Sequence, residues 1–235
     1  MRSLKDIDFE RLEKNLGIKI KSKEIFIEAL THKSYIFFHP DHKYNHNERL
    51  EFLGDAIIEF VVSNYLFNKY KNLKEGELTL IRASVVNREK LLDIAERLNL
   101  DRFILYEKIQ GEKGIKTISS NCVEALVGAI FLDSGLEAAK NFIEKNFFKD
   151  LDEIVSKKLY KDPKSRLQEI FQERFKILPK YVVLKEEGLP HKKNFKIGIF
   201  LNDKLISVGE GNSKQEAEVK AAIKALKKNL IKFIE

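Results

Sequence analysis

Apolar residues recur at three- and four-residue intervals from Leu4 to Leu159, a rhythm that predicts helices. The first two cover 4–16 and 23–30, closed by Gly17 and by a polar break at 31–34. A polar loop with Pro40 fills 39–46. The longest helical pattern runs over 47–70, with Leu50, Leu53, Ile57, Phe60, Val61 and Leu66 on its buried side. Further helices are predicted over 75–87 and 88–98, and Gly111 and Gly114 mark 110–116 as a turn. An apolar helix over 119–132 ends at Ser134-Gly135, and helical rhythm continues over 136–159.

Beyond Pro163, which favours a helix start, Leu167, Ile170, Phe171 and Phe175 share one face. After Pro179 the period changes to two, predicting strands over 181–185, 195–201 and 204–209. Asn202-Asp203 is the turn between the last two, and a final helix follows Asn212 and Ser213 to about residue 233. The predicted fold is an all-α domain over 1–156, a linker over 157–161, and a small α+β module in the order α-β-β-β-α over 162–235.

Composition narrows the class. With 43% hydrophobic and 34% charged residues, the 235-residue chain can bury a core and is expected to be soluble. No apolar run approaches the ~20 residues a membrane span needs, and residues 1–13 lack the apolar stretch of a secretion signal. The single cysteine, Cys122, excludes an internal disulfide and reads as a small core residue. These features predict a cytoplasmic protein without membrane contact. Charge is uneven: residues 162–235 hold 16 Lys and Arg against 10 Asp and Glu, whereas 1–161 hold 27 against 26. The cationic excess suits either a polyanion-binding module or a lysine-rich solvated surface.

Glu48, Glu51 and Asp55 are three and four residues apart and so share one helix face. Spacing alone also allows the wet stripe of an amphipathic helix. Glu124 is harder to explain that way, as the one carboxylate in the apolar run 122–132. A lone carboxylate taken from water is costly unless a cation or hydrogen bonds compensate it. Two such helices face to face would gather Glu51, Asp55 and Glu124, an all-oxygen set suited to magnesium or manganese.

The segment Asn47-Glu48-Arg49-Leu50-Glu51-Phe52-Leu53-Gly54-Asp55-Ala56 resembles the signature of the ribonuclease III family. Thr31-His32-Lys33-Ser34, Glu75-Gly76-Glu77-Leu78-Thr79 and Val123-Glu124-Ala125-Leu126-Val127-Gly128-Ala129-Ile130 resemble its companion motifs, in order. The resemblance implies a homodimeric endonuclease that hydrolyses double-stranded RNA to 5′-phosphate and 3′-hydroxyl ends, in processing of ribosomal and other RNA precursors. Asp55 and Glu124 would be catalytic, and Glu51, position 121 and Glu124 would hold Mg²⁺, or Mn²⁺ in its place. Glu48 and Glu75 would support the site, Phe52 would pack across the dimer, and no organic cofactor is implied. His32 reads as structural, and His39, His42 and His46 lack a second cluster at zinc spacing.

One departure stands out. Where the family has aspartate, this chain has Asn121, similar in shape but neutral, with a donor NH₂ in place of one acceptor. Weakened metal binding and slow or absent cleavage are expected, with folding and RNA binding retained. The chain is then an inactivated form that holds RNA uncut, which the intact remaining carboxylates favour, or one that tolerates asparagine. A rival class is a non-cleaving RNA-binding protein on a nuclease fold.

Residues 162–235 resemble a double-stranded RNA-binding domain through Leu167-Gln168-Glu169, Gly188-Leu189-Pro190-His191 and the run 209–217. The resemblance implies minor-groove contacts by Gln168, Glu169 and His191, with Lys214 meeting phosphates and Lys192, Lys193 and Lys220 adding charge. Gln215 replaces a second lysine, which predicts fewer phosphate contacts.

Overall fold

A computed structural model describes residues 4–107, 111–189 and 192–227. The chain divides into two compact units, Met1–Lys157 and Lys158–Glu235.

The first unit is helical: α1 (Phe9–Leu16), α2 (Lys23–Leu30), α3 (Lys33–Phe38), α4 (Glu48–Lys69), α5 (Glu75–Val85), α6 (Arg88–Arg97), α7 (Gly111–Ser134), α8 (Leu136–Phe147) and α9 (Leu151–Ser156). Each boundary has a local cause. Asp8 caps α1 by accepting from the Arg11 N–H, and Gly17 ends it in the left-handed region at φ +71°. A parallel bridge between Thr31 and Leu105 ties the α2–α3 junction to the chain after α6. Asn47, which donates its N–H to the Thr31 carbonyl at 2.9 Å, then starts α4 from that anchor.

Helix α7 is the core of the unit and packs against α2, α4, α6 and α8. By length and apolar composition it could cross a bilayer, unlike the short apolar runs expected, but most of it is buried inside the unit. It also starts earlier than predicted. Residues 111–116 are helical rather than a turn, stabilised by the Glu112–Lys116 pair and by the Thr117 hydroxyl donating to the Lys113 carbonyl at 2.9 Å. The rhythm over 136–159 is broken at 148–150, where Asp150 pairs with Lys90 of α6 at 2.9 Å.

Phe60 is the other correction. It is 59% exposed, because the apolar residues of α4 occupy two faces. Leu50, Ile57, Ile58, Val61 and Leu66 face the core, and Phe52, Phe60 and Phe67 form an outward stripe that is 80%, 59% and 71% exposed.

The second unit runs α10 (Pro163–Phe175), β1 (Lys180–Leu189), β2 (Lys192–Leu201), β3 (Lys204–Gly211) and α11 (Lys214–Lys227). The sheet is antiparallel in the order β1-β2-β3. Asn202, at φ +51°, makes the β2–β3 turn. Leu167, Phe171, Ile199, Ile206, Ala221 and Ala225 form the core. A Cβ on Gly209 would lie 2.1 Å from the Ala217 carbonyl oxygen, so glycine there seats α11 directly on β3. The strands outrun their predicted ends because those ends carry charged residues rather than an apolar face; Lys193 and Glu186 pair across the β1–β2 end at 2.6 Å. The predicted end of the last helix, near 233, lies outside the described residues.

Candidate active site

Two glycines set the geometry. A Cβ on Gly54 of α4 would fall 1.7 Å from the Glu124 carbonyl oxygen, and one on Gly128 of α7 would fall 2.4 Å from that of Leu50. The two helices therefore cross with main chain against main chain, which side chains at these positions would forbid. The crossing sets the Glu51 and Asp55 turns of α4 beside the Asn121 and Glu124 turn of α7.

Asn121 Nδ2 donates to Glu51 Oε1 at 2.8 Å. Asp55, Asn121 and Glu124 line one cleft of about 300 Å³, together with Glu59, Arg88 and Thr117. Burial, then the charges of Asp55 and Glu51, push the Glu124 carboxyl up to about 7. Burial also raises Glu51, against the opposing hydrogen bond from Asn121, and raises Asp55, aided by Glu59. Burial leads all three shifts, and a neighbouring carboxylate adds to each.

Glu48 behaves differently. Lys33 Nζ lies 2.7 Å from its carboxylate, and that bond holds Glu48 below the usual range. Glu48 is thus already neutralised. Glu75 does not enter the cleft. It is exposed, accepts from the Thr79 hydroxyl at 3.1 Å, and lines a separate groove with Phe60, Phe67 and Leu78. Phe52 and Glu48 border a third cleft, of about 640 Å³, which mixes Ile25, Leu50, Leu53 and Leu132 with Glu28, His46 and Arg49. Cys122 is buried among apolar neighbours, and burial pushes its thiol far up.

Among the described residues no three His, Cys, Asp or Glu side chains are gathered into a ready metal cage. The donor chemistry nevertheless fits a hard cation. Glu51 and Glu124 offer carboxylate oxygens, and Asn121 offers Oδ1 once its amide turns. In the present arrangement that amide presents N–H to Glu51 and its oxygen towards the Ser120 hydroxyl, 3.5 Å away.

In the second unit Gln168 and Glu169 lie on α10, with Lys161 Nζ 2.6 and 2.9 Å from the Glu169 carboxylate oxygens. Lys214 opens α11 and sits 5.8 Å from the centre of the Phe195 ring. Lys193 pairs with Glu186, and Lys220 with Glu216 at 2.6 Å. Exposed pairs of this kind are weak, so a phosphate can displace the carboxylate. Lys192 lies in β2, and His191 falls outside the described residues.

The sequence matches the Ribonuclease-III-like family over residues 22–151. The chain belongs to the ribonuclease III family. It also matches the Double-stranded RNA binding motif over 163–229. It is 44% identical over 218 residues to the Ribonuclease 3 of Carboxydothermus hydrogenoformans, covering 92% of this chain and 93% of that protein. To the Ribonuclease 3 of Clostridium acetobutylicum it is 42% identical over 221 residues, 93% of this chain and 95% of that one. Among solved structures, the nuclease domain of ribonuclease III from Campylobacter jejuni superposes with a TM-score of 0.52 at 44% identity. The match covers 60% of this chain and 99% of that domain, in a structure described for flexibility in a region involved in dimer formation. As a ribonuclease III, the chain is assigned to the endonucleases of double-stranded RNA, and the acidic cleft lies within its nuclease domain.

Sequence reasoning missed Glu59, Arg88 and Thr117 as cleft residues. Glu59 and Thr117 carry a signal: each is four residues from a recognised position, Asp55 and Asn121, on the same helix. Arg88 carries none, because it reaches the cleft only through the packing of α6 against α7.

Proposed function

We propose that this ribonuclease III acts as a homodimer on double-stranded RNA through the α4–α7 cleft, and that Asn121 slows or abolishes its cleavage step. The observation that carries the reading is the shared cleft of Asp55, Asn121 and Glu124, with Glu51 hydrogen-bonded to its rim. Glu51, Glu124 and the Asn121 oxygen would hold Mg²⁺, with Mn²⁺ as a substitute. Bound there, the ion would polarise the scissile phosphate and lower the pKa of water. Asp55 would accept the proton of the attacking water as its oxygen bonds to phosphorus, and the P–O3′ bond breaks as O3′ takes up a proton, with Glu124 acting through the ion it would hold. The ends are then 5′-phosphate and 3′-hydroxyl.

The exposed Phe52, Phe60 and Phe67 stripe supports pairing of two copies, since a two-fold contact needs one self-complementary patch. Lys193, Lys214 and Lys220, with Gln168 and Glu169, would hold the duplex by its grooves and phosphates. His191 and Lys192 enter this reading by resemblance alone. A cytoplasmic role in processing ribosomal and other precursors follows from the same reading.

One observation favours a second reading, a duplex-RNA binder that does not cut: the Asn121 amide already satisfies Glu51, which removes part of the demand for a cation. Incubation of the Asn121→Asp chain with a long RNA duplex and Mg²⁺, then Mn²⁺, separates the two. Short products support the nuclease; a shifted, uncut band supports the binder. No shift with either ion would sink both.

A further inference from the structure

The cleft holding Asp55 and Glu124 is lined, among the described residues, by a single basic side chain, Arg88. Its mounting is fixed. Arg88 is the first residue of α6, and the preceding Asn87 caps that helix by accepting from the Lys90 N–H at 2.9 Å. The Asn87 amide also donates to the carbonyls of Ala83 and Ser84, at 3.2 and 2.8 Å, which locks the α5–α6 corner. From there the Arg88 guanidinium donates to the Thr117 hydroxyl. Thr117, Asn121 and Glu124 follow one another at four- and three-residue spacing along one face of α7. The guanidinium is therefore braced on the wall that carries the acidic groups. Among the described residues it forms no ion pair with a carboxylate.

This placement addresses a physical problem in the cleft. A phosphodiester approaching Asp55, Glu59 and Glu124 meets like charge, and bound cations neutralise only part of it. A guanidinium stays charged at any working pH, and its planar fork matches two non-bridging phosphate oxygens. One N–H is used on Thr117, which leaves the remaining donors for a ligand.

We propose that Arg88 is a phosphate-seating residue: braced on Thr117, its guanidinium hydrogen-bonds the non-bridging oxygens of the RNA phosphodiester held opposite Asp55 and Glu124. The inference rests on the nuclease reading above and adds to it a residue that touches substrate.

The test uses the full chain in two arms. In the first, Glu124→Gln keeps duplex RNA intact with Mg²⁺ present, and affinity is measured across salt concentrations. Adding Arg88→Ala lowers the slope of log affinity against log salt by about 0.9 for each occupied cleft. Arg88→Lys keeps most of the slope, since the charge remains. In the second arm, on the Asn121→Asp chain, Arg88→Ala slows single-turnover cleavage about 10- to 100-fold, and Arg88→Lys recovers only part of the rate because the fork is lost. Arg88 is exposed, and a thermal melt confirms that each variant folds.

An unchanged salt slope overturns the proposal. If cleavage nevertheless falls, Arg88 acts by holding α6 on α7 and not on RNA; if cleavage is also unchanged, the nuclease reading stands without it. A lowered slope in a chain whose Asn121→Asp form never cleaves upholds the RNA contact and sinks the nuclease reading instead.

Discussion

Asn121 donates its side-chain N–H to Glu51 at 2.8 Å, a bond that an aspartate in the same place would replace with repulsion between two carboxylates. In Asn121→Asp without divalent ions, the nuclease domain is expected to be less stable by about 1–3 kcal/mol, the scale of a charged hydrogen bond lost. Mg²⁺ should reverse the loss, because a ligand that binds the folded form raises its melting temperature. The parent chain should shift much less. Thermal unfolding of both chains with and without Mg²⁺ checks this; equal shifts would remove position 121 from the metal site.

Gly54→Ala should be among the most damaging single changes in the chain. Its methyl group would lie 1.7 Å from the Glu124 carbonyl oxygen, so α4 and α7 must separate. The expected cost is on the order of 3 kcal/mol, with cleavage lost even in the Asn121→Asp background. Denaturant unfolding reads the stability term. A midpoint equal to the parent's would contradict the close crossing.

The elements were legible from the sequence to the extent that their apolar residues faced a single core. Residues 23–30 and the start at Pro163 agree with α2 and α10 because each has a clear boundary and one buried face. Phe60 did not, since a helix with two apolar faces gives the same rhythm whether one face or both are covered. Gly111 and Gly114 argued for a turn at 110–116, yet from Gly111 onward the backbone bonds and the Glu112–Lys116 pair make this stretch part of α7. At the site, spacing was enough to group Glu51 with Asp55 and Asn121 with Glu124. It carried no information on which helices cross, so Arg88 entered the cleft unannounced, and Glu75 proved to line a different groove.

Acid should weaken the nuclease domain through His42. Burial, then the neighbouring His39, holds the His42 imidazole below its ordinary value. The unfolded chain therefore binds the proton more readily, so this contribution is present above the unfolded pKa near 6.5 and is lost as pH falls toward the folded value. The raised Glu51, Asp55 and Glu124 carboxyls act in the opposite sense but are common to both proteins, so between about pH 7 and pH 5 the melting temperature of His42→Gln is expected to rise relative to that of the parent. Parallel profiles for the two proteins would show that His42 is not responsible.

Dimerisation should depend on the outward stripe of α4. Phe60→Asp puts a carboxylate into that patch while leaving the core face of Leu50, Ile57 and Val61 unchanged. Dimer affinity is expected to fall at least about 100-fold, in line with loss of a buried aromatic anchor. Sedimentation at micromolar concentration checks it; a Phe60→Asp chain as dimeric as the parent would move the interface elsewhere.

Duplex binding should respond to Lys214 more than to Lys220. Lys214 stands at the start of α11, where the helix dipole favours an anion, whereas Lys220 lies further along the helix and is paired with Glu216. Lys214→Ala should lower the salt slope by about 0.9 per module and Lys220→Ala by less. Filter binding over a salt series measures both, and the reverse order would assign the phosphate contact to Lys220.

Because Gly54 and Gly128 let two backbones touch, the separation of the α4 and α7 main chains that carry the acidic residues is set by the peptide frame. Repacking neighbouring core residues leaves that main-chain separation in place. What remains adjustable is the chemistry presented at a fixed distance. Exchanging a single oxygen for nitrogen at position 121 is the kind of change such a frame allows: it alters the charge on offer and leaves the architecture standing.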